Sequence, residues 1–139
     1  MRRLALVAAI ACAAALTLAG SVAVAVEPIG SEEMEVDIPF AFVANQKAMT
    51  AGVYHIGLSG NHDNRVIVEG TEDEGAVVVP VLERLADLGT KEPTLVFDKV
   101  DGKFILSEAH YPGMDGFLVG IAGGSESHHV LKGKKHARS

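Results

Sequence analysis

Apolar residues recur at every second position through much of this chain, and that period confines it to β-structure. Met34, Val36, Ile38, Phe40 and Phe42 alternate with Glu35, Asp37, Pro39 and Ala41. Successive side chains of an extended strand point to opposite faces, so this run predicts a strand with one buried face. Pro39 has no amide proton for a ladder and belongs at a sheet edge or a bulge.

Further strands are expected over Val53–Leu58, Arg65–Glu69 and Ala76–Leu82, separated by the polar turns 60–64 and 71–75. Asn45-Gln46-Lys47 reads as a connection. The clearest hairpin pairs Thr94–Lys99 with Lys103–Tyr111 around Asp101-Gly102, a dipeptide that accepts the positive φ angles of a two-residue turn. A last strand runs over Phe117–Ile121, after the turn at Pro112-Gly113. Only Val81–Leu88 has a helical aspect, with Leu82, Leu85 and Leu88 three apart; it is short enough to be a single turn or an ordered loop instead. About seven short strands spaced by turns predict an all-β fold, a single antiparallel β-sandwich or small barrel. Its expected core is Val36, Ile38, Phe40, Tyr54, Ile56, Val66, Val68, Val78, Leu95, Phe97, Phe104, Leu106, Phe117 and Val119, with Phe40 and Phe104 central.

The N-terminus follows a different rule. Arg2 and Arg3 precede an uncharged run from Leu4 to Val26 that contains Ala23-Val24-Ala25. A basic head, an apolar Ala/Leu/Val centre and an A-x-A exit are the marks of a secretory signal peptide, so a helical segment 1–25 with cleavage after Ala25 is expected. The run is long enough to span a bilayer as a retained anchor, but it is dominated by Ala, a weak inserter, and is followed by Glu27 rather than a basic stop. The single cysteine, Cys12, leaves with this segment, and with it go a disulfide framework, a thiolate zinc site and a thiol nucleophile. The expected organisation is a signal at 1–25, a linker at 26–33, a β-domain at 34–121 and a flexible Gly/Ser then basic His/Lys tail at 122–139. No stable membrane span remains after cleavage, and the expected location is exported, periplasmic or extracellular.

Charge narrows the partners. The chain carries 12 Lys and Arg against 18 Asp and Glu, for a net −6, and every acid lies beyond residue 26. Lys132, Lys134, Lys135 and Arg138 gather in the tail, so the body before it is strongly acidic. Such a body repels phosphates, which argues against nucleic acid as a partner.

Two segments, IPFAFVANQKAMTAGVYHI (38–56) and LVFDKVDGKFILSEAHYPGMDG (95–116), carry a resemblance. Ala51-Gly52-Val53-Tyr54 and Phe104-Ile105-Leu106-Ser107-Glu108 are similar to motifs of a family of small exported β-rich proteins common in acidobacteria. Thr50 stands where that family usually has proline, and Ala109-His110-Tyr111 replaces a Trp-containing segment. The shared motifs are strand and turn chemistry. The resemblance implies an exported β-domain and brings no catalytic residue with it.

Residues that bear chemistry are present but scattered. His128, His129 and His136 share the tail and could bind a divalent transition metal, although a specific site needs preorganised ligands. His55 and His110 fall in strands, and His110 shares a strand face with Glu108; with Asp98 or Glu108 they suggest acid–base chemistry, or simply a histidine bonding its neighbour. Glu72-Asp73-Glu74 is an acidic turn without the spacing of a calcium loop. Gly124-Ser125-Glu126-Ser127 lacks the closing glycine of a nucleophile elbow. No catalytic, cofactor-binding or metal-ligating residue is therefore assigned, and no cofactor. The expected function is a non-catalytic exported domain that binds a partner protein or cell-envelope component. The alternatives are a small His/carboxylate hydrolase or isomerase with a barrel-mouth site, or metal sequestration by the tail.

Overall fold

A computed structural model describes residues 28–61, 64–124 and 127–135, and all of its regular structure is strand. The expected signal segment, 1–25, and His136 lie outside the described residues. No helix among the described residues is long and apolar enough to cross a membrane. In chain order the strands are β1 (Ile29–Ile38), β2 (Phe42–Ala44), β3 (Lys47–Met49), β4 (Gly52–Ser59), β5 (Arg65–Gly70) and β6 (Ala76–Pro80). They continue with β7 (Glu83–Leu85), β8 (Thr94–Val100), β9 (Lys103–His110), β10 (Gly116–Leu118), β11 (Ser127–Lys132) and β12 (Lys134–Lys135).

Two sheets share one core, and neither closes into a barrel. The first has the order β12-β1-β4-β5-β6; the second has β11-β8-β9-β10-β7, with β2 on β9 and β3 on β2. The register aligns Met34 with Ile56 and Ile56 with Val68, so β1, β4 and β5 present one apolar face inward. Phe97, opposite Leu106, and Leu95, opposite Ala109, supply the facing layer. Tyr111 links the layers: its buried hydroxyl donates to the Ile56 carbonyl at 2.7 Å. Burial, and after it the nearby Glu32 and Glu33 charges, raise the Tyr111 pKa well above that of a free tyrosine.

The chain turns from one sheet to the other at four corners, and three of them account for a difference from the sequence reading. The alternation from Met34 to Phe42 looks like one strand but is two. Pro39 ends β1, Phe40 crosses the core edge, and β2 begins at Phe42 in the other sheet. Phe40 stacks on Phe104 with centroids 3.9 Å apart, and both rings are only partly buried. The centre of the aromatic core is instead Phe97 and Phe117, both fully buried. Val78 is also only partly buried, while the rest of the expected core is buried.

The second corner, Val81-Leu82, carries the chain from β6 to β7, replacing the helical candidate with a three-residue strand on β10. Leu82 and Leu88 are exposed, so the three-residue spacing has no apolar face to bury. The third corner is Gly133, between β11 and β12. A Cβ there would lie 2.9 Å from the Glu35 carbonyl oxygen, and the Gly133 amide donates to the Pro93 carbonyl at 2.8 Å.

Both expected domain boundaries move outward. The segment 26–33 is not a linker throughout, because β1 starts at Ile29. A bulge hides its period: Ile29 pairs with Ser59 and Glu33 with Gly57, so the spacing is longer on β1 than on β4. The expected tail likewise contains two strands, β11 and β12. Six residues of β11 pair with β8, from Ser127 opposite Lys99 to Lys132 opposite Thr94. An edge strand is held by its backbone ladder and needs apolar groups on one face only; Leu131 packs on the core while Val130 stays exposed. The expected hairpin is present, with Val100 opposite Lys103 and positive φ angles of 51° at Asp101 and 78° at Gly102.

Candidate functional site

One concave feature arises where one strand has two partners on the same edge. Beyond its β8 side, β9 pairs in parallel with β2 at Phe104 and Ile105, then antiparallel with β10 at Glu108 and Ala109. Between these pairings β9 bulges: Val96 faces Glu108 and Phe97 faces Leu106, which leaves Ser107 extra. The Ser107 carbonyl accepts from the amides of Val119 at 2.7 Å and Gly120 at 3.2 Å, while its hydroxyl donates to the Gly120 carbonyl at 3.2 Å. Gly120 is required at this approach, since a Cβ there would sit 2.2 Å from the Leu106 carbonyl oxygen.

The diverging strands leave a cleft of about 330 Å³, lined by Val43, Asn45, Gln46, Pro80, Leu82, Ile105, Leu106, Val119, Gly120 and Ile121. No lining side chain is ionisable. Leu82 is 51% exposed and Ile121 75%, two large apolar groups held at the surface beside the cleft. The Leu82 amide is fixed to the Leu118 carbonyl at 2.8 Å. On the opposite wall, Asn45 and Gln46 form a two-residue turn with φ angles of 49° and 65°. Asn45 Nδ2 donates to the Val78 carbonyl and Lys47 Nζ to the Ala76 carbonyl, both at 3.0 Å, tying the hairpin to the edge of β6. An uncharged, largely apolar hollow of this size can take an apolar group.

The histidines singled out in the sequence lie elsewhere. His55 stands between two carboxylates, with Nδ1 3.2 Å from Glu33 Oε2 and Nε2 3.1 Å from Glu35 Oε1. His110 Nε2 lies 2.7 Å from Glu108 Oε1, as expected for i and i+2 on one strand face. The His110 ring is buried, its Nδ1 has no hydrogen-bond partner among the described residues, and it fills space beside Gly116, where a Cβ would be 2.2 Å away. His128 Nδ1 is 2.6 Å from Asp98 Oδ1 across the β8–β11 pair. His129 instead meets the Phe104 ring edge-on at 4.9 Å and Ser127 Oγ at 3.3 Å.

These pairs occupy separate places on the two sheets. Among the described residues no group of three His, Cys, Asp or Glu side chains is arranged to hold a metal ion. The acidic turn also closes on itself: Glu74 Oε1 accepts from the Glu72 amide at 2.8 Å, and the Glu74 side chain packs against Gly52 and Gly70.

Sequence reasoning missed the cleft because its parts carry ordinary signals. Val119 looks like core, Ile121 like the end of a strand, and Leu82 like one turn of a helix. The one distinguishing sign was Asn45-Gln46, a two-residue loop without the glycine such turns favour. No protein-family model matches the chain, and no curated protein or solved structure is significantly similar to it.

Proposed function

We propose that this chain is an exported, non-catalytic binding domain that takes an apolar group of a partner protein or cell-envelope component into the cleft between β2 and β10. One observation carries the reading: an uncharged hollow of about 330 Å³ flanked by two exposed large apolar side chains, Leu82 and Ile121. Leaving such groups in water is unfavourable, and burying one fully yields about 1.5–3 kcal/mol. Export is supported by the signal-like N-terminus and by the resemblance to a family of exported β-proteins. The histidine–carboxylate pairs that would serve an acid–base enzyme lie outside the cleft.

Titration with N-phenylnaphthylamine, a small apolar dye whose fluorescence rises on leaving water, tests the proposal. Saturable binding is expected, weakened about tenfold by either Leu82→Asp or Ile121→Asp, since a carboxylate beside the ligand must be desolvated. Absence of saturable binding, or binding indifferent to both substitutions, would refute it.

A further inference from the structure

Gln46 is an unusual residue for its position. Both residues of its turn have positive φ, the geometry in which the second place falls by default to glycine, because a side chain there is strained. Asn45 tolerates the left-handed region through its short polar side chain, and its amide is engaged with the Val78 carbonyl. Gln46 has neither excuse. Gln46 is one of the residues lining the cleft, it is exposed, and its side chain makes no hydrogen bond among the described residues. Strain retained where glycine would relieve it points to a use for the side chain.

Gln46 also supplies what the rest of the lining lacks. Of the ten lining residues only Asn45 and Gln46 have polar side chains, and Asn45 Nδ2 is already committed. A primary carboxamide offers a donor and an acceptor side by side. That pair is the complement of the N–H and C=O of one residue in an extended peptide. No lining side chain is ionisable, so a charged occupant would have to shed its water without meeting a partner charge, whereas an uncharged one would not. We infer that Gln46 is a specificity-determining residue, and that the occupant is an uncharged, extended peptide segment. Its backbone meets the Gln46 carboxamide while an apolar side chain enters between Leu82 and Ile121.

This inference rests on the cleft being a binding site, and its test separates the two. The probes are N-phenylnaphthylamine and an end-blocked alanine pentapeptide with a central phenylalanine, used on the full chain and on its Gln46→Gly and Gln46→Glu variants. The peptide is expected to displace the dye from the parent protein. Gln46→Gly should bind the peptide about tenfold more weakly, the loss of a hydrogen-bonded pair, and lose less affinity for the dye, which has no peptide backbone to pair; Gln46→Glu should weaken both, since its carboxylate must be desolvated. Gln46→Gly should also melt at the same or a higher temperature, because it relieves the turn. Dye binding without displacement by the peptide, or peptide binding unchanged in Gln46→Gly, overturns this inference and leaves the cleft as an apolar site. Loss of dye binding in the parent overturns both.

Discussion

The two flanks of the sandwich are closed by the same device with opposite results. On one flank β11 and β12 run from the second sheet to the first through Gly133, pairing with β8 and then β1. On the other, β6 and β7 make the reverse crossing through Val81-Leu82. The first flank is sealed, because β11 follows β8 without interruption over six residue pairs. The second is notched, because β9 divides its edge between β2 and β10. A corner strand covers a flank only where the neighbouring ladder is continuous, and a bulge and a fork turn the same corner into a cleft.

The largest expected effect comes from stripping the sealed flank. Truncation after Ile121 removes β11 and β12, exposes the β8 and β1 edges and uncovers the contacts of Leu131. A small domain has only about 5–15 kcal/mol in hand, so cooperative thermal unfolding should be lost or sharply lowered. A melting curve that overlays the parent would return the tail to the status of a loose appendage.

Next in size is a contrast between two phenylalanines. Phe97 lies fully buried next to the sealed flank, and Phe97→Ala should cost about 3–5 kcal/mol. Phe104 is only partly buried and stacked on Phe40, so Phe104→Ala should cost about 1–2 kcal/mol. Urea denaturation of both variants checks the order, and equal losses would erase the distinction between core and rim.

At the notch, Gly120→Ala forces a methyl toward the Leu106 carbonyl oxygen. The expected cost is about 1–3 kcal/mol, with weakened dye binding because the cleft wall must shift. A variant of parental stability and affinity would mean that the close approach at the fork is unimportant.

A smaller effect involves both sheets. Tyr54 and Tyr111 have pKa values raised above 10, chiefly by burial. The native state therefore holds these protons more tightly than the unfolded chain does. The stabilisation is full below about pH 10, the ordinary tyrosine value, and is lost as pH rises above it. Tyr111→Phe gives up its bond to Ile56 at neutral pH and should flatten this alkaline decline.

What the sequence disclosed and what it hid have separate physical causes. The β class, the Asp101-Gly102 hairpin and most of the core were legible, because a period of two and a positive-φ dipeptide are local signals. Which sheet a strand joins is not local. The run from Met34 to Phe42 keeps its period through a change of sheet, and only Pro39 marks the place. Edge strands hide for another reason: β11 is held mainly by backbone pairing, so SHHVLK shows little apolar rhythm. The cleft was the least legible element, since it is the space between strands that are distant in sequence. The histidines, more visible as candidate chemistry, pair with carboxylates on separate parts of the sheets.

Amide chemical shifts during a dye titration test the central claim, that the notched flank is the binding surface. With N-phenylnaphthylamine added to the isotope-labelled protein, the resonances of Val43, Gln46, Leu106, Gly120 and Ile121 should move together and saturate, while those of β11 and of the His55 neighbourhood stay still. Saturable shifts centred on β11 or on His55, with the cleft residues unmoved, would contradict the account.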